Sequence, residues 1–248
     1  MKRRNLLKKG SSLLAATSLS TVGTAKERKS NFDQKYDAAL KAREKTGSQE
    51  VFHRVLKNNG LSVNRKRDSV VFTENKEGVS TSDITKSEFT VDMTMSTSYK
   101  DGDAIEAAVD YYFKVATKKV GTDGGPGPDE MTIGWPDWAY RIKDYTWYSD
   151  SDSPNLVYKS SETNGLRYHW KDNAACPYGC SQTKYNYYGC KLKPLKTNKE
   201  RFARGEIRHT WQEAEFGGFG VSASGDITFN IKPSNTFWEG KYITVEEM

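Results

Sequence analysis

Three cysteines, three histidines and a scatter of acids are the side chains of this sequence that could bind metal, form disulfides or move protons. Cys176 and Cys180 enclose Pro177, Tyr178 and Gly179, and Cys190 follows in the same stretch. A tight turn would bring Cys176 to Cys180, and Cys180 with Cys190 is an equally open pairing; either leaves one thiol over. With His169 upstream, three thiolates and an imidazole could also form a closed tetrahedral zinc site, although their spacing follows no standard zinc pattern. The expectation is a disulfide within this loop and no metal. A nucleophilic cysteine would need a base beside it, and the nearby sequence marks none.

Hydrolysis would require His169 or His209 to meet carboxylates in space. The chain contains neither the His-Glu-x-x-His pattern of zinc proteases nor a Gly-x-Ser-x-Gly elbow. His53 falls on a helical stretch and reads as packing or surface. Asp150, Asp152 and Asn155 alternate in a serine-rich turn, without the glycine and closing glutamate of a calcium loop. The glycine- and proline-rich segment Gly121 to Pro128 lacks the Lys-Ser/Thr ending of a phosphate loop. No cofactor is expected. Aromatic residues are dense from Trp135 to Tyr148, where burial in a core is their commoner use. Tyr185, Tyr187 and Tyr188 sit in the cysteine loop and are the candidate ligand surface, suited to stacking on sugar rings. Lys191 to Arg208 carries seven bases against Glu200 and Glu206, and reads as a solvated connector or a seat for an anionic partner.

The elements that must position these groups change type along the chain. Phe32, Tyr36, Ala39 and Leu40 recur at helical spacing, Thr46-Gly47 closes that helix, and Ser48 is an N-cap for a second. Phe52, Val55 and Leu56 form the buried face of the second helix, and Asn59-Gly60 stops it. Leu61 to Ser87 reads as a polar linker, with Arg65-Lys66-Arg67 a solvated charge run or a processing site. From Glu88 the period becomes two: Phe89, Val91, Met93 and Met95 alternate with polar residues. Asp101-Gly102 is a turn into a partner strand over Ile105 to Val115, and further strands follow, with hairpin turns at Asn164-Gly165 and Ser224-Gly225. The predicted fold is mainly β, an antiparallel sandwich or barrel-like domain preceded by a short N-terminal helical hairpin. Residues 26–67 are assigned to hairpin and linker, and 68–248 to the β-rich domain.

The first 25 residues are of another kind. Arg3 and Arg4 precede Asn5, Leu6, Leu7 and Lys8, and an uncharged run of 16 residues extends from Gly10 to Ala25. A charged start, an apolar centre and a small-residue end make a signal peptide, and the run is shorter than the roughly 20 residues of a spanning helix. The paired arginines and the residues after them resemble a twin-arginine (Tat) export leader. That resemblance implies the Tat machinery as a partner and export of an already folded chain, with Lys26 starting the mature protein. The whole chain has 38 basic and 32 acidic residues. Without the five leader bases, 33 stand against 32, a net charge of +1, which argues against nucleic acid as a partner. No later apolar run is long enough for an integral membrane protein.

The reading is therefore an exported protein, secreted or held at the cell surface, acting as a binding module for an extracellular ligand such as a carbohydrate or an anionic envelope polymer. Two rivals stand beside it. One is a secreted hydrolase with carboxylates around His169 or His209. The other is a toxin or antimicrobial precursor cut at Arg65 to Arg67.

Overall fold

Ser30 starts the folded part of the chain: its hydroxyl accepts the Asp33 amide while the Asp33 carboxylate reaches back to the Ser30 amide. This cap opens α1 (Asn31–Thr46), which Gly47 ends in the left-handed conformation, φ 64°. Ser48 caps α2 (Gln49–Asn58) through the Val51 amide. The computed structural model describes residues 30–73, 86–117, 129–149, 156–162, 164–170, 182–210, 215–232 and 238–247. Arg3, Arg4, Cys176, Cys180, the 121–128 segment and the Asp150 to Asn155 turn lie outside them.

The strands are β1 (Ser62–Thr73), β2 (Lys86–Lys100), β3 (Asp103–Thr117), β4 (Asp129–Gly134), β5 (Tyr140–Ser149), β6 (Leu156–Glu162) and β7 (Gly165–Trp170). They continue with β8 (Gln182–Pro194), β9 (Phe202–Thr210), β10 (Glu215–Val221), β11 (Ile227–Lys232) and β12 (Trp238–Glu246). One five-stranded sheet runs β1-β2-β3-β8-β5 and the other β12-β9-β4-β7-β6, with β10-β11 a separate hairpin. Every ladder is antiparallel. The expected sandwich is the observed one, and Ile105 to Val115 is a strand as read.

Period-two alternation sorts the first sheet into two faces. Val91, Met93, Val109, Tyr111, Phe113 and Tyr188 face the second sheet and pack on Met131, Ile133, Tyr168, Trp170 and Ile207. The intervening residues of β2 and β3, including Asp92, Thr94, Ala108 and Asp110, lie on the other face, which the helices cover. Phe32, Tyr36, Ala39, Phe52 and Leu56 form a second core there with Leu61, Val63 and Ala108. The hairpin thus lies on a sheet face, making a third layer. Ion pairs hold it down: Lys191 reaches Asp33 at 3.1 Å and Asp37 at 2.8 Å, and Lys143 reaches Asp33 at 3.0 Å.

Three sequence expectations need correction. The polar linker is in its first part a strand: Ser62–Thr73 pairs along its length with β2, so the boundary at 67/68 falls inside β1. Charged edge strands read as linkers because nothing apolar marks their solvent side. Arg65 to Arg67 lies within that ladder, with Arg65 ion-paired, which removes the structural basis for a processing site there. The basic run Lys191 to Arg208 is a connector only over residues 195–201: it begins in β8, a central strand between β3 and β5 where Lys191 is buried, and ends in β9.

Among the described residues, no helix is long and apolar enough to cross a membrane.

Candidate functional site

The corner between the helices gives the site its shape. Gly47 and Ser48 turn the chain above the outer face of the first sheet, and the helices stop covering that face beyond this corner. Cross-strand register then sets two rows side by side. Arg67, Asp92, Tyr112 and Tyr187 form one row across β1, β2, β3 and β8; Ser69, Thr90, Lys114 and Tyr185 form the next. A cleft of about 230 Å³ opens here, with Arg65, Arg67, Thr90, Asp92, Tyr112 and Lys114 from the sheet and residues 47–50 as its helical wall.

Its charges are not equivalent. Arg65 donates from Nε to Asp92 Oδ2 at 2.7 Å and from Nη1 to Glu50 Oε1 at 2.8 Å. Its Nη2 also contacts Asp92 Oδ2. Arg67 and Lys114 are exposed and make no ion pair among the described residues. Asp92 is only 2% exposed, and its Oδ1 has no hydrogen-bond partner among the described residues. Burial pushes the Asp92 carboxyl up to about 6, against the pull of Arg65. Glu50 goes the other way, its carboxyl held below the usual range by the Arg65 hydrogen bond.

Behind the cleft a buried network fixes the helical wall. Arg43 pairs with Asp110 through Nη1 at 2.7 Å and Nη2 at 2.8 Å, its guanidinium lying between the Phe52 and Tyr187 rings. Gln49 Oε1 accepts from Arg43, so its amide nitrogen faces His53 Nε2 at 3.3 Å. Thr94 Oγ1 makes the closer contact with His53 Nε2, at 2.8 Å. Burial, with help from Arg65, lowers His53 to about 4 and keeps it neutral.

His53 and Asp92 have opposite linkage to pH. The unfolded chain protonates its histidine between 6.5 and about 4 while folded His53 resists, so acidification through that window destabilises the fold. Folded Asp92 takes its proton near 6, ahead of the unfolded chain at 3.8, so acidification from 6 to 4 stabilises it. Asp92→Asn is expected to steepen acid destabilisation between pH 6.5 and 4.5, and His53→Gln to make the variant gain stability relative to wild type as pH falls. Urea midpoints at the two pH values check this, and equal slopes in all three proteins would refute it.

The tyrosines divide. Tyr185 is 40% exposed, stacks on Tyr112 with ring centroids 6.1 Å apart, and lies over Gly47, where a Cβ would sit 2.5 Å from its hydroxyl. Tyr187 and Tyr188 are buried, against the expectation of a ligand surface. Tyr187 supports Arg43 and donates to Glu44, while Tyr188 packs on Tyr168 in the sandwich core. Adjacent strand residues point to opposite faces, so the three could not share one surface.

Cys190 is a free, buried thiol, and burial pushes its pKa up. It lies in the inter-sheet core, while Cys176 and Cys180 lie outside the described residues. His169 stands in β7 between Arg167 and Glu130, so His169 and Cys190 do not form a common zinc set. Glu130 is fully buried and both its oxygens are taken, by Arg167 (Nε at 2.9 Å) and by His169. Glu206 and Arg208 pair beside it on β9 at 2.6 Å, and burial raises the Glu206 carboxyl. This group binds β4, β7 and β9 together, and no substrate atom can reach Glu130 without breaking its pairs. His209 lies on β9 opposite Glu239.

No protein-family model matches the chain, and no curated protein matches it. A solved structure, the collagen-binding domain from a Staphylococcus aureus adhesin, is similar over 55% of this chain and 93% of its own. Identity is 10% and the TM-score 0.29, a likeness too slight to carry an argument. The cleft was missed in the sequence because β1, which supplies Arg65 and Arg67 to its floor, reads as a linker, and because its other lining residues meet only through cross-strand register. The only signals pointing toward it were Ser48 as a cap and the exposed Tyr185.

Proposed function

We propose that this is an exported binding module that holds an extracellular ligand in the cleft between the helical corner and the first sheet. The observation that carries the reading is a pair of cations, Arg67 and Lys114, that make no ion pair among the described residues and stand beside a nearly buried Asp92, whose Oδ1 has no hydrogen-bond partner among those residues. Hydrogen-bonding capacity left over at a concave surface is what a ligand site requires. Export rests on the twin-arginine leader, and the remaining disulfide candidates are Cys176 and Cys180, paired with each other. A hydrolase is the weaker reading, because His169 and Glu130 are occupied by one another and by Arg167.

One fractionation experiment tests both halves. The wild-type chain is expected outside the cytoplasm and retained in the envelope fraction. With Arg3 and Arg4 replaced by lysine it should stay inside. With Arg67→Glu and Lys114→Glu it should be exported but released to the medium, while Lys199→Glu behaves as wild type. Retention of the cleft double variant at the wild-type level would overturn the cleft as the ligand site.

A further inference from the structure

We infer that the ligand of this cleft is an acidic saccharide, a sugar ring carrying a carboxylate, with Arg67 and Lys114 taking the carboxylate and Asp92 Oδ1 accepting a ring hydroxyl. The inference rests on the cleft being the ligand site, as proposed above. Its starting point is that the cleft presents unlike needs side by side. Arg67 and Lys114 stand on β1 and β3, on either side of β2, about one strand spacing of 4.8 Å from it each. Both ask for negative charge. On β2, opposite Arg67 and diagonal to Lys114, Asp92 is nearly buried and joined to Arg65 through Oδ2, and its Oδ1 has no donor among the described residues. Glu50 closes the helical side with a second negative charge.

A polyphosphate chain answers the cations but offers no donor to Asp92 Oδ1. A neutral sugar answers Asp92 and leaves the cations idle. A uronate-type ring satisfies both in one residue. The aromatic pair supports the same class: Tyr112 lines the cleft, and Tyr185 stacks on it with an interplanar angle of 17° and stays exposed at the margin. An apolar sugar face packs on such a surface. The volume, about 230 Å³, lies below the roughly 300 Å³ at which drug-sized sites begin, and suits a ring or two of a longer polymer.

Titration calorimetry on the exported chain at pH 7 tests this with three probes. They are an oligogalacturonate, the same oligosaccharide with its carboxyl groups reduced to hydroxymethyl, and vesicles rich in phosphatidylglycerol. The acidic oligosaccharide is expected to bind about tenfold or more tighter than the neutral one, the scale of one charge-assisted hydrogen bond. Arg67→Ala with Lys114→Ala should erase that difference. Asp92→Asn keeps a carbonyl for Arg65 but puts an amide donor in place of the free acceptor, so it should weaken both oligosaccharides, with a far-ultraviolet spectrum confirming the fold. Equal affinity for the two oligosaccharides, no binding of the acidic one at millimolar concentration, or binding to vesicles alone would each overturn the inference. Envelope retention that still depends on Arg67 and Lys114 would then leave the broader reading standing, so the two can fail separately.

Discussion

Replacing Asp110 with alanine is expected to lower folding stability by about 3–5 kcal/mol, the cost of leaving a buried charge without its partner. Arg43 and Asp110 are both fully buried, joined by two hydrogen bonds, and the guanidinium fills the space between Phe52 and Tyr187. Without the carboxylate, the guanidinium loses its two charge-assisted bonds, while the bond from Nη1 to the neutral Gln49 oxygen remains. The effect should reach beyond stability. Gln49 also donates to Asp110 at 3.3 Å, and Gln49 is part of the cleft wall, so ligand retention should fall in the same variant. Urea denaturation measures the first effect. The double replacement Arg43→Met with Asp110→Leu should recover most of the loss, because it removes both charges and keeps the volume. A loss below 1 kcal/mol for Asp110→Ala would show that water reaches this pair.

Gly205→Ala is the second large effect. A methyl there would meet Tyr111 Cδ2 and Cε2 and come within 3.3 Å of Met93 Sδ. Tyr111 cannot yield: it is fully buried, with the Tyr188 ring centroid at 5.4 Å and that of Phe113 at 6.5 Å. Overpacking of this kind costs 1–3 kcal/mol, and a ring confined on several sides puts this site near about 3 kcal/mol. For a chain of this size that corresponds to a fall in Tm of roughly 6–12 °C. Tyr111→Leu in the same chain should restore part of the loss, a non-additivity expected only of residues in contact. Additive losses in a thermal melt would mean that the sheets do not meet at Gly205.

The two predictions draw on different layers, and the sequence exposed those layers unequally. The sandwich core was legible because an antiparallel sheet with one apolar face writes a period of two into the chain. Phe89 to Met95 shows that period without ambiguity, and the turn at Asp101-Gly102 told the next segment to double back. The helices were legible for the same kind of reason, through apolar spacing, Ser48 as a cap and Gly47 as a stop. β1 was not. Its outward residues are Arg65, Arg67 and Ser69, and a charged edge strand has no local mark that separates it from a linker. β8 hid in another way: its stretch holds three tyrosines and three lysines, and only pairing with both β3 and β5 reveals a central strand.

What the sequence determined by itself is therefore local: the class of the fold, the helical hairpin with its caps, and the turns. Which side chains meet was decided by tertiary structure. Arg43 and Asp110 are 67 positions apart, and Arg65 and Asp92 are 27 apart. Neither pair follows from periodicity, because register between distant strands and the seat of a helix on a sheet depend on the summed packing of whole faces. The same summation separated Tyr185 from Tyr187 and Tyr188, buried Cys190, and turned His169 toward Glu130. Alternation says that neighbours point apart; only the packed sandwich says which of them faces the cleft.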